Sequence, residues 1–178
     1  MSRVGRPPLL AGVGIATALL YFVGLVAGVP ELRVAVKPFP ALALASWVAL
    51  GCGDRPGRLT AAGLALSAAG DLLLELGRVL PGLLAFLAAH VAYVAAFVAA
   101  ERRPALGRLL PFLAWGMTAF ALLRPGLGTM ALPVGAYVAV LCTMMWRAAA
   151  RVGGPSTTAL AGLLGLAGAV AFGASDTL

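Results

Sequence analysis

Acidic residues are scarce in this chain: six Asp and Glu stand against 13 Lys and Arg in 178 residues, and charged residues make up only 11%. Histidine occurs once and cysteine twice. Cys52 and Cys142 have no metal-ligand spacing and no histidine beside them, so they read as small apolar residues rather than as a zinc or redox pair. No P-loop, HExxH, GxSxG or CxxC pattern is present. The GVGIATA run near the N-terminus has no strand before it and lies in an apolar stretch, which excludes a dinucleotide fingerprint. One histidine with two or three carboxylates gives thin support for a metal, so neither a metal nor another cofactor is expected.

What the chain has in abundance is apolar surface. Hydrophobic residues make up 62% and the mean hydropathy is +1.02. Apolar stretches of about 16 to 22 residues recur along the sequence, long enough to cross a bilayer as helices. Breaks at Val29 to Lys37, Gly51 to Arg58, Gly77 to Leu80, Glu101 to Arg108, Arg124 to Gly128 and Arg147 to Ser156 delimit about seven of them. The expected fold class is all-α, a polytopic membrane helical bundle with residues 1–178 as a single domain. Most of the 23 glycines then serve close helix packing. The first apolar run, Leu9 to Val29, exceeds a signal-peptide core and is expected to be a transmembrane helix.

A net charge of +7 in a soluble protein would suggest nucleic acid, but here the Arg residues fall at helix ends, so no nucleic-acid partner is expected. Counted by alternate loops, Arg3, Arg6, Arg55, Arg58, Arg102, Arg103, Arg108, Arg147 and Arg151 share one side, and Arg33, Lys37, Arg78 and Arg124 the other. Nine against four places the N-terminus in the cytoplasm. Trp47 and Trp146 then fall near the cytoplasmic interface, which favours amphipathic rings.

An ionisable side chain inside a bilayer costs roughly 2.5 to 3.5 kcal/mol on insertion scales, so those that remain mark a cavity or a partner. Asp71 and Asp176 lie in long apolar runs. On the expected third helix Asp71 falls roughly 10 Å from the outer end at 1.5 Å per residue, with Ser67 one turn below and Glu75 one turn above on the same face, which Gly63 extends. His90 lies on the fourth helix in a stripe with Phe86, Tyr93 and Phe97, Asp176 ends the seventh, and Lys37 opens the second in VKPFP. Four helices thus bring Lys37, Asp71, His90 and Asp176 to the outer half of the bilayer. For each a plain structural role stands beside the functional one. His90 suits a hydrogen-bonded core position, Glu75 a pair with Arg78 three residues on, Lys37 a snorkelling anchor, and Asp176 solvation near the chain end.

The successive segments VKPFP, LSAAGDLLLELG, LLAFLAAHVAYVAAF and GAVAFGASD resemble, in order and spacing, the motifs of the YhhN family, the transmembrane lysoplasmalogenases. The resemblance implies an integral membrane hydrolase that cleaves the vinyl ether bond of lysoplasmalogens, or of a related ether or lysolipid, to a fatty aldehyde and a glycerophospho head group. It implies Lys37, Asp71, His90 and Asp176 as the polar motif residues, and a further helix, an eighth by this count, after Leu178. The expected setting is a bacterial plasma membrane.

Vinyl ether hydrolysis begins with protonation of the β-carbon, which creates an oxocarbenium ion, and glycosidases meet a similar ion with two carboxyl groups. A carboxylic acid can give that proton and a carboxylate can deprotonate the incoming water. Asp71 and Asp176 are candidates for the pair, with His90 as orienting or shuttling group and Lys37, Tyr93, Glu75 and Ser67 as substrate contacts. The alternative function is a small proton-coupled carrier that uses Asp71, His90 and Asp176 as a relay.

Orientation is directly measurable. With the N-terminus inside, an Arg102→Cys variant in a Cys52→Ser background reacts with a membrane-impermeant maleimide only after cells are permeabilised. Labelling of intact cells reverses the orientation.

Overall fold

The structure, a computed structural model, describes residues 7–177. Arg3 and Arg6, counted above among the charges that set topology, lie outside the described residues. Every regular element described is helical: α1 (Pro7–Val26), α2 (Pro30–Val36), α3 (Phe39–Gly51), α4 (Arg55–Glu75), α5 (Val79–Ala100), α6 (Leu110–Leu127), α7 (Ala131–Arg151) and α8 (Ala159–Thr177). Short 3-10 turns precede α6 and α7. Among the described residues five helical stretches are long and apolar enough to cross a membrane, and one of them, 46 residues from Leu106 to Arg151, contains both α6 and α7. The chain is an all-α integral membrane protein. Large apolar side chains such as Val26, Leu122 and Leu132 are more than three-quarters exposed, as suits a surface whose solvent is hydrocarbon.

The second helix departs from expectation. Val29 to Lys37 was expected to be a loop with Lys37 at a helix start, yet the stretch from Pro30 to Gly51 is helical apart from a break at Lys37 and Pro38. The start signals lie earlier: Pro30 occupies the first turn of α2, where its missing N–H costs nothing, and Glu31 beside it suits the positive end of the dipole. The break has a covalent cause. Pro38 and Pro40 have no N–H to donate, so the carbonyls of Val34 and Val36 lose their helical partners. Lys37 therefore caps the C-terminal end of α2, its N–H bonding Arg33 O at 3.0 Å, and its cation sits where the dipole favours it.

Two other expected breaks are shorter than the sequence suggested. α6 carries Pro125 inside its last turn and continues to Leu127, while α7 continues past Arg147 to Arg151. α4 is not among the five apolar stretches, because Arg58, Asp71 and Glu75 lower its hydropathy. Its start is fixed by Asp54, whose carboxylate accepts the Gly57 N–H at 2.9 Å.

The chain forms two compact units, residues 1–92 and 93–178, with α5 contributing to both. In the first unit α3 lies between α1 and α4, and α2 touches α1 and α4. In the second, α7 packs against α6 and α8 and carries most of the buried side chains, among them Leu141, Met144 and Met145. Small residues permit these approaches. A Cβ at Gly70 of α4 would stand 2.6 Å from the Phe86 ring of α5, one at Gly116 of α6 2.5 Å from Cys142 Sγ, and one at Gly173 of α8 2.7 Å from Met145 Sδ.

Gly70→Ala should lower the melting temperature in detergent by the equivalent of about 1–3 kcal/mol, the usual cost of overpacking. Because the clash is with one ring, Phe86→Leu should recover part of that loss in a double-mutant cycle. Simple additivity of the two losses would show that the contact is not the cause.

Candidate functional site

In the first unit the ionisable groups gather around Glu75. Glu75 ends α4, its side chain is 5% exposed, and Lys37 Nζ donates to its Oε2 at 2.9 Å while the Arg33 guanidinium pairs with Oε1. The three come together because α2 runs beside the C-terminal turn of α4. Gly24 of α1 makes room for the Arg33 stem, since a Cβ there would lie 3.2 Å from Arg33 Cγ. Lys37 Nζ also stands 5.4 Å from the Tyr21 ring centroid, a further α1 contact. Glu75 thus pairs across helices with Arg33 and Lys37, not with Arg78 on its own turn.

One turn before Glu75 lies half-buried Asp71, and before it buried Ser67 and Gly63, so this face of α4 is turned inward along its length. His90 is fully buried on α5, with Nδ1 2.6 Å from the Phe86 carbonyl oxygen one turn back. A carbonyl only accepts, so Nδ1 carries a proton and is the donor in this contact. Tyr93 follows three residues on, half-buried.

In the second unit Asp176, close to the end of α8, accepts a hydrogen bond from the phenol of Tyr137 on α7. Tyr137 is buried, although nothing in the sequence near it separates it from an apolar filler. Its only early signal is a polar tip within the apolar first half of α7. At the opposite end of α7, Arg147 is buried and its guanidinium donates to the Arg103 carbonyl at 2.9 Å and to the Glu101 carbonyl. Trp146 Nε1 reaches the Ala105 carbonyl at 3.2 Å. Glu101, also buried, accepts the Arg103 N–H at 3.0 Å. These groups hold the 101–108 segment against the end of α7. Arg147 was counted as a topogenic loop charge, and Glu101 had no assigned role; both are structural anchors of this turn.

The first unit thus holds Arg33 and Lys37 on Glu75, with Asp71 one turn from Glu75 and His90 buried on α5, and the second holds Tyr137 on Asp176. Among the described residues no group of three or more His, Cys, Asp or Glu is arranged to hold a metal ion. What these residues offer is proton donation, proton acceptance and cationic contact to an anion.

The Glu75 assignment has a clear thermal test. Glu75→Gln leaves two cations facing a neutral amide and should cost about 1–3 kcal/mol, read as a lower melting temperature in detergent. Arg78→Gln should stay within about 0.5 kcal/mol of the parent, as an ordinary surface change does. Equal effects of the two would restore the local Glu75 to Arg78 pair.

Comparison with known proteins agrees with the motif order. Lysoplasmalogenase TMEM86B of Homo sapiens is 38% identical over 128 residues, which is 70% of this chain and 56% of that protein. The chain thus spans a little over half the length of the curated relative it matches. No solved structure matches it. The YhhN family matches residues 32–178, from α2 through α8 and across both units. This chain belongs to the YhhN family.

Proposed function

We propose that this protein is a membrane hydrolase that cleaves the vinyl ether bond of lysoplasmalogens, or of a closely related ether lysolipid, releasing a fatty aldehyde and a glycerophospho head group. The name of the human relative supports the substrate class. The observation that carries the chemical reading is the phenol of Tyr137 donating to Asp176, because a carboxylate fixed as acceptor suits a general base. The family match through both units supports treating residues 1–178 as a single working domain. Its setting is a bacterial plasma membrane with the N-terminus cytoplasmic.

Asp71 in acid form gives its proton to the β-carbon of the vinyl ether, and the electron pair of the double bond forms the new C–H bond. The adjacent carbon becomes the oxocarbenium centre. Asp176 takes a proton from water as that water adds, which produces the hemiacetal. Collapse reverses the two roles. The Asp71 carboxylate accepts the hemiacetal hydroxyl proton, the bond to the glycerol oxygen breaks, and Asp176 returns its proton to that oxygen. Aldehyde and alcohol leave, and both carboxyl groups are back in their starting forms. His90, whose Nδ1 donates to the Phe86 carbonyl, assists by orienting a carboxyl group or carrying the proton. Ser67 and Tyr93 contribute hydrogen bonds to the bound lipid, and Lys37 meets its phosphate.

One feature favours the carrier alternative: the helix broken at Lys37 and Pro38, since transporters build midplane sites from interrupted helices. The two readings separate in one assay. Purified full chain incubated with mixed lysolipids should release fatty aldehyde from the vinyl ether species alone, whereas a carrier releases none. Asp71→Asn and Asp176→Asn should each lower turnover by about 100-fold or more while leaving the melting temperature near the parent. Tyr137→Phe keeps the ring and removes the donor, and should lower kcat about tenfold with little change in KM. Full activity in Asp71→Asn would sink the carboxyl mechanism.

A further inference from the structure

Arg33 has no role in the mechanism above, yet it shares a carboxylate with Lys37 in the half-exposed part of the first unit. The Arg33 and Lys37 side chains are 32% and 23% exposed while the Glu75 side chain is 5% exposed, so the cations are reachable and the anion lies beneath them. Arg33 Nε is buried and has no hydrogen-bond acceptor among the described residues, which leaves one arm of the guanidinium fork without an oxygen. Two cations converge on one anion, so the cluster carries one positive charge in excess. Asp71, one turn away, leaves that excess in place when it is in the acid form the mechanism requires.

We propose that Arg33 and Lys37 together form the phosphate site for the lipid substrate, and that Glu75 occupies it from below as an internal stand-in for the phosphate. The proposal rests on the lipid hydrolase reading and adds to it a second cationic ligand and a charge rule. A guanidinium offers paired donors to two oxygens of one phosphate, while an ammonium acts as a point charge. One excess positive charge matches a phosphodiester, which carries one negative charge. It matches less well a phosphomonoester, which carries nearly two, or an uncharged glycerol ether. The site therefore selects lysolipids whose phosphate is esterified on both sides, independently of what lies beyond the phosphate. Gly24 fixes the path of the Arg33 stem and Tyr21 borders Lys37, so α1 helps shape the site without supplying a charge.

The test uses binding, so that it stands apart from turnover. Purified full chain in neutral detergent is titrated with a non-hydrolysable 1-alkyl-glycerophosphocholine and, in parallel, with the matching 1-alkylglycerol. Arg33→Gln should weaken binding of the phosphodiester lipid about tenfold or more and leave that of the glycerol ether unchanged. Arg33→Lys, which keeps the charge but loses the fork, should fall between the two. Glu75→Gln should bind the phosphodiester several-fold more tightly, because the internal competitor is gone, and added phosphodiester lipid should restore part of its lost melting temperature. Equal weakening for both lipids in Arg33→Gln would overturn the proposal in favour of a folding role, as would unchanged phosphodiester affinity. If the parent binds the phosphodiester lipid in this Arg33-dependent way but releases no aldehyde from any vinyl ether, the hydrolase reading fails and the anion site stands.

Discussion

A charge in a membrane helix must be answered by another group from the protein, and the pairing of Glu75 with Arg33 and Lys37 is where this chain meets that demand most fully. The pairing joins α2 to the end of α4, and α1 closes around it with Gly24 and Tyr21. It also explains why a seven-residue helix survives between two proline-bearing segments. Such a helix is too short to hold by propensity alone, but Arg33 and Lys37 are four residues apart and so reach the same carboxylate from one face. The break after Lys37 then serves the pairing, since α2 ends at the residue whose side chain is needed.

The second unit solves the same problem with backbone oxygen instead of carboxylate. Arg147 spends its donors on the Glu101 and Arg103 carbonyls, and Trp146 adds the Ala105 carbonyl. The turn from 101 to 105 has no helix of its own to satisfy those carbonyls, so side chains from the last turns of α7 take that task. Glu101 closes the arrangement by accepting the Arg103 N–H. A loop fixed in this way holds the end of α5 to the last turns of α7.

Much of this was legible in the sequence, and what was missed has physical causes. Helix existence follows from apolar length, and the inward face of α4 follows from the four-residue spacing of Ser67, Asp71 and Glu75, because both signals are local. Partner choice is not local. Arg78 and Arg33 are equally good cations for Glu75 on paper, and only the docking of α2 decides between them. VKPFP does open a helix, α3 at Phe39 with Pro40 in its first turn, but Pro30 and Glu31 start a further short helix before it, so Lys37 falls at the end of α2 instead of at a helix start. Tyr137 and Arg147 were overlooked for a related reason: a phenol in an apolar helix and an arginine near a helix end are each commonplace, and their importance comes from the partners that folding brings to them. Roles for Asp71, Asp176 and His90 rest on chemistry and on family membership.

With only six acidic residues, the fate of each can be followed. Glu31 lies in the first turn of α2 and Asp54 caps α4, where carboxylates offset the helix dipole. Glu101 anchors a turn, and Glu75 answers two cations. Four of the six thus have duties that any helical membrane protein would recognise. Asp71 and Asp176 differ from them in position: each lies in a long apolar run away from a helix start, Asp71 one turn from Ser67 and Asp176 against the phenol of Tyr137. Half-buried Asp71 is costly to keep in such a run, and Asp176, exposed near the end of α8, is held by the Tyr137 phenol, so the proposed chemistry is assigned to these two and not to the four that hold the fold.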